Sequence, residues 1–419
     1  MKQFAYDALV IGGGTAGMSA ALALKENGIG KVGILDREPA LGGILLQCPH
    51  NGFGLHTFKE ELTGPEFAQR FTDSVLSSDI DLFLDTCVTR LTPEREVVAL
   101  SPEHGVMKLT SRAIILAMGC RERSRGEINL PGTRPGGIMT AGLAQRFINM
   151  DGYLPGKEVV ILGSGDIGLI MARRLTWVGA HVKAVIEIMP FPGGLMRNIV
   201  QCLEDYDIPL HLSHAVTKII GNRHLRAVEV CRLDSNGRVL PETAFKIDCD
   251  LLLLSVGLIP ENELSLQAGV QISDATKGAI VGSDYQTNVP GIFSCGNVLH
   301  VHDLADYVAE EAKRCGQYAA QSIRGQAAKP RIKVIPGHNI RYVVPSIVDP
   351  MEDVVLFMRP FKPRREVVLE VRCGKSVLKR ISKKIILPSE MLTIKLSSKQ
   401  LAQCTDERLE IAVTGGREA

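Results

Sequence analysis

The sequence lacks the features that mark several common classes of protein. Its ten cysteines include no CxxC pair and no regular paired spacing. These absences argue against a zinc site and a disulfide framework, and they are typical of a reducing compartment. No apolar run approaches the length of a membrane span, and no signal peptide precedes the first strand. We therefore expect a cytoplasmic protein without a membrane span.

The chain also lacks a large excess of one charge. It carries 48 Lys and Arg residues against 46 Asp and Glu, a formal net charge of +2, so nucleic acid is not an expected partner. The stretch from Arg331 to Ala419 is the exception, with 17 basic and 10 acidic residues. The length of 419 residues predicts two or three domains.

Glycine is abundant, and its spacing carries the strongest functional signal. An apolar strand, Ala8 to Ile11, leads into Gly12, Gly14 and Gly17, then into a helix and a second strand that ends on Asp36. This order is typical of a dinucleotide-binding unit. The first glycine makes a tight turn, the second admits a pyrophosphate, and the third lets the helix pack closely. The acid accepts hydrogen bonds from a ribose hydroxyl.

The same pattern recurs later in the chain. A strand ending at Leu162 is followed by Gly163, Gly165 and Gly168, a helix, and a strand that ends on Glu187. A repeated nucleotide-binding unit implies two nucleotides. The carboxylate of Glu187 would accept the ribose 2′-OH of NADH and repel the 2′-phosphate of NADPH, and no arginine follows closely to receive that phosphate.

Other segments complete the organisation. The glycine-rich stretch from Leu41 to Gly54 predicts a loop that passes close to a ligand. Helices are expected over residues 64–77 and 304–323, and a small antiparallel sheet over residues 80–109. Apolar residues alternate with charged ones from Pro330 onwards, which predicts a β-rich domain of roughly six strands.

Taken in order, these motifs resemble the two-dinucleotide-binding flavoproteins that include glutathione reductase and thioredoxin reductase. The resemblance covers roughly residues 1–325 and includes the turns at Ala117–Gly119 and Ser255–Gly257 and the segment Pro290–Asn297. It implies an α/β fold with two Rossmann-like dinucleotide-binding domains, the second inserted in the first, plus a C-terminal β-rich domain. The expected domains are residues 1–125 with 260–328 for FAD, 126–259 for NAD(H), and 330–419.

The resemblance also implies the cofactors, FAD and NADH, and the residues that hold them. Those expected at FAD are Gly12, Gly14, Gly17, Asp36, Gly43, Gly119, Gly296 and Asn297. Those expected at NADH are Gly163, Gly165, Gly168 and Glu187. The family's usual aspartate at the ribityl chain is Asn297 here, and an amide can make the same hydrogen bond without the charge.

Shorter stretches resemble flavoprotein subunits that accompany a second FAD-dependent dehydrogenase, as in bacterial glycerol-3-phosphate utilisation. They also resemble the α subunits of opine, hydroxyproline and cyanide-forming amine dehydrogenases. Those α subunits commonly end in a cysteine-rich segment, whereas this chain ends with only Cys373 and Cys404. Cys48 stands alone in the loop where disulfide reductases carry a redox pair, so disulfide reduction is not expected.

The candidate catalytic residues are Cys48, His50, His300 and His302. A thiolate can react with a substrate, and imidazole can shuttle protons near neutral pH, although packing is the simpler role for a buried cysteine. No metal is expected, because the two later histidines lie in a turn before a helix and further ligands are absent from the pattern.

Some polar and aromatic residues have simpler interpretations. Arg121 and Arg123 can bind an anionic substrate or the cofactor, but surface pairing with Glu122 and Glu127 explains them as well. Trp177 is expected in the core.

The motifs together predict an FAD enzyme that passes hydride or electrons between NAD(H) and either a partner dehydrogenase or a small substrate. The alternatives are a subunit of an amine or imino-acid dehydrogenase and a non-catalytic, FAD-bound scaffold subunit. The basic C-terminal region, with strands such as Val367–Val371 offering a pairing edge, is expected to mediate homo- or hetero-oligomerisation. It is not expected to be needed for either nucleotide site.

Overall fold

The structure is a computed structural model that describes residues 1–326 and 332–418. The domain boundaries expected at residues 328 and 330, and the C-terminal residue 419, lie outside the described residues. Contacts divide the chain into two compact units. The first comprises residues 1–120 and 260–419, and the second comprises residues 121–259.

The helices and strands fall into three stretches of the chain. The first stretch contains β1 (Lys2–Ile11), α1 (Thr15–Glu26), β2 (Val32–Leu35), β3 (Asn51–Phe53), β4 (Leu62–Thr63), α2 (Gly64–Leu76), β5 (Ile80–Phe83), β6 (Cys87–Leu91), β7 (Glu96–Ser101) and β8 (Gly105–Leu116). The middle stretch contains β9 (Cys120–Glu122), β10 (Ile138–Thr140), α3 (Ala141–Asn149), β11 (Glu158–Leu162), α4 (Asp166–Trp177), β12 (His181–Glu187), α5 (Met196–Cys202), β13 (Leu210–Leu212), β14 (His214–Gly221), β15 (Leu225–Arg232), β16 (Phe245–Asp248), β17 (Leu251–Leu254) and β18 (Leu258–Pro260). The last stretch contains α6 (Glu263–Gln267), β19 (Ile292–Ser294), α7 (Ala305–Ile323), β20 (Ile332–Pro336), β21 (Ile340–Val344), β22 (Ile347–Val348), β23 (Val354–Pro360), β24 (Arg364–Cys373), β25 (Ser376–Ile386), β26 (Leu392–Leu396), α8 (Ser398–Leu401), β27 (Arg408–Thr414) and β28 (Arg417–Glu418).

The main sheet of the first unit has the strand order β5-β2-β1-β8-β7-β6, with β19 also paired to β8. Strands β5, β2, β1, β8 and β19 are parallel, and residues 8–11 of β1 and all of β2 are buried, as both faces of a parallel sheet are covered. The antiparallel sheet expected over residues 80–109 is confirmed for β6, β7 and the first part of β8, but β5 pairs parallel with β2. These strands belong to the main sheet, because β8 is one long strand that joins the antiparallel pairs to the parallel part.

Helices α1 and α7 pack closely in the first unit, and small residues make this possible. A Cβ atom added at Gly316 of α7 would overlap the carbonyl oxygen of Ala20 and lie 2.8 Å from the Cβ of Ala23, both on α1. The predicted helix over residues 64–77 is confirmed as α2, which begins with a capping box between Thr63 and Glu66. No helix within residues 1–326 and 332–418 is long and apolar enough to cross a membrane.

The second unit repeats the parallel arrangement, with the strand order β10-β17-β11-β12-β13. Its remaining strands, β14, β15 and β16, form a three-stranded antiparallel sheet. Strand β17 is a run of four buried leucines, in register with β11 on one side and β10 on the other. The expected position of Trp177 in the core is wrong: this side chain is 56% exposed and stacks under Arg173 instead.

The C-terminal region has nine strands in the described residues rather than roughly six. Six form a sheet with the order β22-β20-β27-β24-β25 and β28 beside β24, and three form the sheet β21-β23-β26. Buried apolar residues between them, such as Leu356, Leu369 and Ile411, form a separate core cluster. The pairing edge expected at Val367–Val371 is wrong, because β24 lies between β25 and β27, and the strand order of this sheet ends at β22 and β25.

The structure also corrects two expectations about local chemistry. Cys373 and Cys404 form a disulfide, although their spacing suggested no pairing. This disulfide removes one argument for a reducing compartment, and the cytoplasmic location stays a prediction. The stretch expected as an open glycine-rich loop contains a short 3-10 helix, Gly43–Gln47, followed by the small hairpin of β3 and β4.

Candidate functional site

The first glycine motif forms the turn between β1 and α1. The backbone N–H of Gly12 donates to the carbonyl oxygen of Leu35 at 2.8 Å. A Cβ atom at Gly12 would overlap the carbonyl oxygen of Ala117, and one at Gly17 would overlap that of Gly12. A Cβ atom at Gly14 would meet nothing within 4 Å. Packing of the backbone therefore requires glycine at the first and third positions, whereas the second position faces open space.

Asp36 closes this turn from the end of β2. One carboxylate oxygen accepts the backbone N–H of Gly13, and the other accepts that of Glu38 at 2.8 Å. The hydroxyl of Thr15, the first residue of α1, is buried without a hydrogen-bond partner among the described residues. Open space at Gly14, an unpartnered hydroxyl and the N-terminus of a twelve-residue helix together fit a bound pyrophosphate.

Gly43 and Gly296, which were also expected at FAD, lie against this turn. Gly42 donates its backbone N–H to the carbonyl oxygen of Gly13 at 2.9 Å, and a Cβ atom at Gly43 would lie 3.2 Å from the Cα of Gly14. Gly296 has a positive φ of 73°, and a Cβ atom there would lie 2.7 Å from the Cβ of Ala16 on α1. Gly42 and Gly43, which are far from Gly296 in the sequence, therefore lie together with it around the start of α1.

Gly119 and Asn297 complete the set expected at FAD. Gly119 follows the turn after β8, and its carbonyl oxygen accepts the backbone N–H of Glu261 at 3.0 Å. The side-chain oxygen of Asn297 accepts the backbone N–H of His302 at 3.0 Å. Because the oxygen of this amide is already bonded, its NH2 group is the part suited to a ligand.

The second glycine motif repeats the first within the second unit. Gly163 donates its backbone N–H to the carbonyl oxygen of Ile186 at 2.7 Å, and a Cβ atom at Gly163 would overlap the carbonyl oxygen of Ser255. The backbone N–H of Gly168 donates to the hydroxyl of Ser255 at 3.0 Å. Gly165 again has the most space, with its nearest neighbour, the hydroxyl of Ser255, at 3.4 Å from an added Cβ.

Glu187 occupies the place of Asp36 in this second unit. Only 7% of the residue is exposed, and one oxygen accepts both the backbone N–H and the hydroxyl of Ser164, at 2.9 and 2.6 Å. The other oxygen accepts the backbone N–H of Met189 at 2.9 Å. The carboxylate is thus held by the second residue of the glycine motif, as Asp36 is held by Gly13.

Sequence reasoning missed two polar residues beside this motif. The hydroxyl of Ser164 also accepts the backbone N–H of Gly193 at 2.8 Å, and Asp166 accepts the N–H of Leu195 at 2.8 Å and the side-chain amide of Asn198 at 2.6 Å. These bonds hold the loop after β12 against the start of α4. Both residues occupy variable positions of the glycine motif, so the spacing alone gave no signal for them.

The candidates Cys48 and His50 lie in the segment between Gly43 and β3. The thiol of Cys48 is 9% exposed and lies 3.3 Å from the carbonyl oxygen of Ile44. One ring nitrogen of His50 lies 3.1 Å from the carbonyl oxygen of Asn51, and the ring stacks near Phe53. Both residues therefore have local structural contacts, and no geometry distinguishes either as a nucleophile or a base.

The other candidates, His300 and His302, form a buried cluster with Glu311 of α7. His300 Nε2 lies 2.8 Å from Glu311 Oε2, and His302 Nε2 lies 3.2 Å from Glu311 Oε1. The three side chains are at most 1% exposed. The expectation that further potential metal ligands are absent is therefore wrong, since the carboxylate of Glu311 joins the two histidines. A helical repeat places Glu311 on the face of α7 that carries other buried residues, and a charged residue on such a face was the available signal.

These three groups have the chemistry of metal ligands and all lie within 4.8 Å of one another. A structural zinc site needs a fourth ligand, and no fourth His, Cys, Asp or Glu of the described residues joins the group. A catalytic metal site keeps an open position for water, but these side chains are closed off from solvent. The geometry fits a buried hydrogen-bonded cluster better than a metal centre.

The electrostatics of the cluster follow from its burial. Burial alone would raise the pKa of Glu311, but the imidazoles of His302 and His300 hold that pKa well below its usual range. Burial lowers the pKa of His300. Glu311 is thus an ionised carboxylate in the protein interior, where its hydrogen bonds carry more energy than they would in water.

Two buried cysteines and one candidate arginine have structural partners. Cys295 and Cys315 contact each other, and burial raises the pKa of the Cys315 thiol. Both are fully buried, so this pair cannot exchange with a disulfide substrate. Arg121 pairs with Glu127 at 3.4 Å, as expected for surface charges.

Glu122 was expected to pair on the surface, and this expectation is wrong. Its carboxylate accepts the backbone N–H of Gly142 at 2.9 Å, at the N-terminus of α3. Burial raises the pKa of this carboxyl group, and hydrogen bonds from Thr140 and the helix N–H groups oppose the shift.

Parallel β-α-β units with glycine turns and terminal carboxylates define a class of dinucleotide-binding oxidoreductases. The chain belongs to the pyridine nucleotide-disulphide oxidoreductase family, whose pattern matches residues 6–319. Membership of this family implies the use of FAD and NAD(P)H.

Individual relatives are distant. The chain is 26% identical over 314 residues to the A subunit of opine oxidase from Agrobacterium tumefaciens (strain Ach5), a match that covers 70% of this chain and 61% of the relative. It is 26% identical over 298 residues to the F subunit of alkyl hydroperoxide reductase from Staphylococcus aureus (strain MRSA252), covering 70% and 54%. The chain therefore spans less than two thirds of the curated relatives it matches.

Solved structures share the fold. Thioredoxin reductase from T. acidophilum superposes with a TM-score of 0.60 at 22% identity, covering 77% of this chain and 98% of that one. L-proline dehydrogenase from P. horikoshii superposes with a TM-score of 0.55 at 17% identity, covering 78% and 57%. At these identities the likeness establishes the fold alone.

Proposed function

We propose that the protein is an FAD enzyme that passes hydride or electrons between NADH and a partner dehydrogenase or a small substrate. The observation that carries this proposal is the duplicated turn: in each unit a carboxylate at the end of the second strand accepts the N–H of the second motif residue. FAD belongs to the first unit, where Gly14 faces open space and Thr15 lacks a partner among the described residues.

The residues of the chain bind and orient the two nucleotides. The N–H groups at the start of α1 and α4 would receive the pyrophosphates, and Asp36 and Glu187 would receive the adenosine riboses. The amide of Asn297 would donate to the flavin's ribityl chain. Bound FAD supplies the chemistry, because its ring accepts a hydride from NADH and releases electrons singly or in pairs.

We further propose the domain assignment expected from the sequence. Residues 1–125 with 260–328 form the FAD domain, residues 126–259 are inserted and bind NADH, and residues 330–419 form a β-rich domain. The compact units at residues 1–120 with 260–419 and 121–259 support the insertion. The separate core cluster of the C-terminal strands supports the third domain.

Preference for NADH over NADPH rests on Glu187. Its buried carboxylate lies at the motif, where the 2′-phosphate of NADPH would meet a negative charge. Disulfide reduction is not proposed, because Cys48 bonds to a carbonyl oxygen and the Cys295–Cys315 pair is buried.

A second candidate function is a role as one subunit of an amine or imino-acid dehydrogenase. The match to the opine oxidase relative favours it, since that relative matches 70% of this chain. In this case electrons would enter from a carbon–nitrogen bond instead of NADH. The third alternative, an FAD-bound scaffold without catalysis, predicts no reduction by either donor.

Stopped-flow mixing of the purified yellow protein with NADH separates these functions. We expect the absorbance of the flavin to fall after mixing. It should fall faster with NADH than with NADPH. No bleaching by either nucleotide, with bleaching by an opine or proline, would support the amine dehydrogenase instead. No bleaching by any of these donors would leave the scaffold.

We propose that the C-terminal region docks an acidic face of a second dehydrogenase subunit. Strand β25 is one of the two terminal strands of its sheet, and Lys383 and Lys384 are exposed on it. Lysines also protect an edge from non-specific pairing, so charge complementarity, rather than strand addition, is the expected mode of contact.

A double charge reversal, Lys383→Glu with Lys384→Glu, tests this docking. It should weaken binding of the second dehydrogenase subunit at least tenfold, and added salt should weaken binding of the unchanged protein in the same way. The control reverses Lys218 and Arg226, which are exposed in the second unit. Two results would contradict docking of an acidic partner. One is an equal loss of binding in the test variant and the control variant, and the other is a homodimer that only the test variant disrupts.

A further inference from the structure

The buried cluster of His300, His302 and Glu311 is bonded directly to the turn expected at the flavin. Glu311 Oε1 accepts the backbone N–H of Gly296 at 2.7 Å, while its other oxygen lies 2.8 Å from His300 Nε2. The backbone N–H of His302 donates to the side chain of Asn297 at 3.0 Å. Both residues of the Gly296–Asn297 turn are therefore held by the cluster.

The C-terminal strands cover this cluster from the other side. The ring of Phe357, on β23, has its centre 5.4 Å from the ring centres of both histidines. Arg359, on the same strand, donates to the carbonyl oxygen of Val301 at 3.2 Å and forms an ion pair with Asp303. These contacts enclose the segment between Asn297 and α7.

Asp303 is the main polar link between the two regions. Besides its ion pair with Arg359, it accepts the backbone N–H of Met391 at 2.6 Å. Arg359 also donates to the carbonyl oxygen of Ser389 at 2.9 Å, so the ion pair is anchored by hydrogen bonds on both sides. Removing one partner of such a part-buried pair leaves the other charge without compensation, which is more costly than losing a surface pair.

We propose that the C-terminal region is a working part of the flavin site: Phe357 and Arg359 hold the 300–303 segment, and through it Glu311 holds the Gly296–Asn297 turn in the form that binds FAD. This inference rests on the proposed FAD site. It also argues against the expectation that residues beyond 325 are dispensable for that site. Glu311, Phe357 and Arg359 are positioning residues, because they act through the turn.

The experiment compares two variants with matched controls in the full chain. Glu311→Gln keeps the shape of the side chain but removes the charge, and Glu310→Gln is its neighbour on α7, with a 54% exposed side chain. Arg359→Leu removes the ion pair, Arg359→Lys keeps the charge, and Arg341→Leu removes an exposed arginine from β21. Each protein is stripped of flavin and titrated with FAD, and the flavin midpoint potential is measured.

We expect Glu311→Gln and Arg359→Leu to weaken FAD binding at least tenfold, Arg359→Lys to recover part of the loss, and both controls to bind FAD normally. Glu311→Gln should also raise the midpoint potential, because a nearby carboxylate opposes the negative charge that reduction adds. A purely structural defect would lower thermal stability without the rescue by lysine or the change in potential.

Three outcomes would overturn the inference. The first is normal FAD affinity in both Glu311→Gln and Arg359→Leu. The second is equal loss in the variants and their controls. The third is one equivalent of a transition metal in the unchanged protein that Glu311→Gln loses, since the cluster would then be a metal site. Failure of the proposed function is distinct: in that case the unchanged protein itself would bind no FAD.

Discussion

Replacing Gly14 by valine tests whether FAD binding, rather than the fold, requires a glycine at this position. Gly14 has a φ of −75° and a ψ of −173°, an extended conformation that valine adopts readily. An added Cβ meets no atom within 4 Å. The substitution therefore places a branched side chain in open space at the N-cap of α1, where we place the pyrophosphate.

The effect of Gly14→Val on the flavin-free protein should be small. Valine is a poorer N-cap than glycine, which costs about 0.5–1 kcal/mol, while the loss of glycine's freedom in the unfolded chain returns about 0.4–1 kcal/mol. The net change is within about 1 kcal/mol, or roughly 2–4 °C in Tm for a domain of this size. FAD binding should fall at least a hundredfold, about 2.7 kcal/mol, because the side chain displaces the phosphate.

The assay measures flavin content, FAD affinity and the Tm of the flavin-free forms, because bound flavin itself raises the Tm of the unchanged protein. Gly165→Val is the matched control, since it makes the same change at the same position of the second motif. It should retain FAD but lose reduction by NADH. A Gly14→Val protein with stoichiometric FAD would refute the placement of the site.

Two further predictions concern charged groups. In the unchanged protein kcat/KM should be higher for NADH than for NADPH, and Glu187→Gln should reduce that ratio at least tenfold, about 1.4 kcal/mol, because it removes the charge that repels the 2′-phosphate; a ratio unaffected by the change would exclude this role. For His300, the folded pKa is lowered from the ordinary 6.5, so the unfolded chain binds the extra proton and stability should fall as pH drops below 6.5. The stability difference between the unchanged protein and His300→Gln should therefore shrink from pH 8 to pH 5, by up to about 1.4 kcal/mol per pH unit. Denaturant unfolding at both pH values measures this difference, and a larger difference at pH 5 than at pH 8 would contradict the prediction.

Local patterns predicted the parts of the site that depend on local backbone geometry. The glycine turns and their contacts with Asp36 and Glu187 follow from the spacing of the motif residues, whereas the role of these residues at a nucleotide stays a prediction. The helix over residues 64–77 was found for the same reason, since its cap and apolar face are contiguous in sequence. Each of these features needs no more than a few neighbouring residues to specify it.

Features that depend on distant partners were missed. Glu311 gains its role from Gly296 and two histidines, and the sequence does not show that they meet. The disulfide between Cys373 and Cys404 likewise joins the end of β24 to the segment after α8. Trp177 was expected in the core because it is large and apolar, but it lies at the surface, in contact with Arg173 and Tyr206.

The last prediction concerns Ser164, which the second motif has where the first has Gly13. Its hydroxyl donates to Glu187 at 2.6 Å and accepts from Gly193 at 2.8 Å, so it holds both the acid and the loop after β12. Ser164→Ala removes both bonds, worth about 1–2 kcal/mol together, and should raise the KM for NADH roughly five- to thirtyfold. FAD content should not change, because the contacts of Ser164 all lie in the second unit. Ser235→Ala, exposed in the same unit, is the control, and an unchanged KM in Ser164→Ala would show that the loop and acid keep their positions without the hydroxyl.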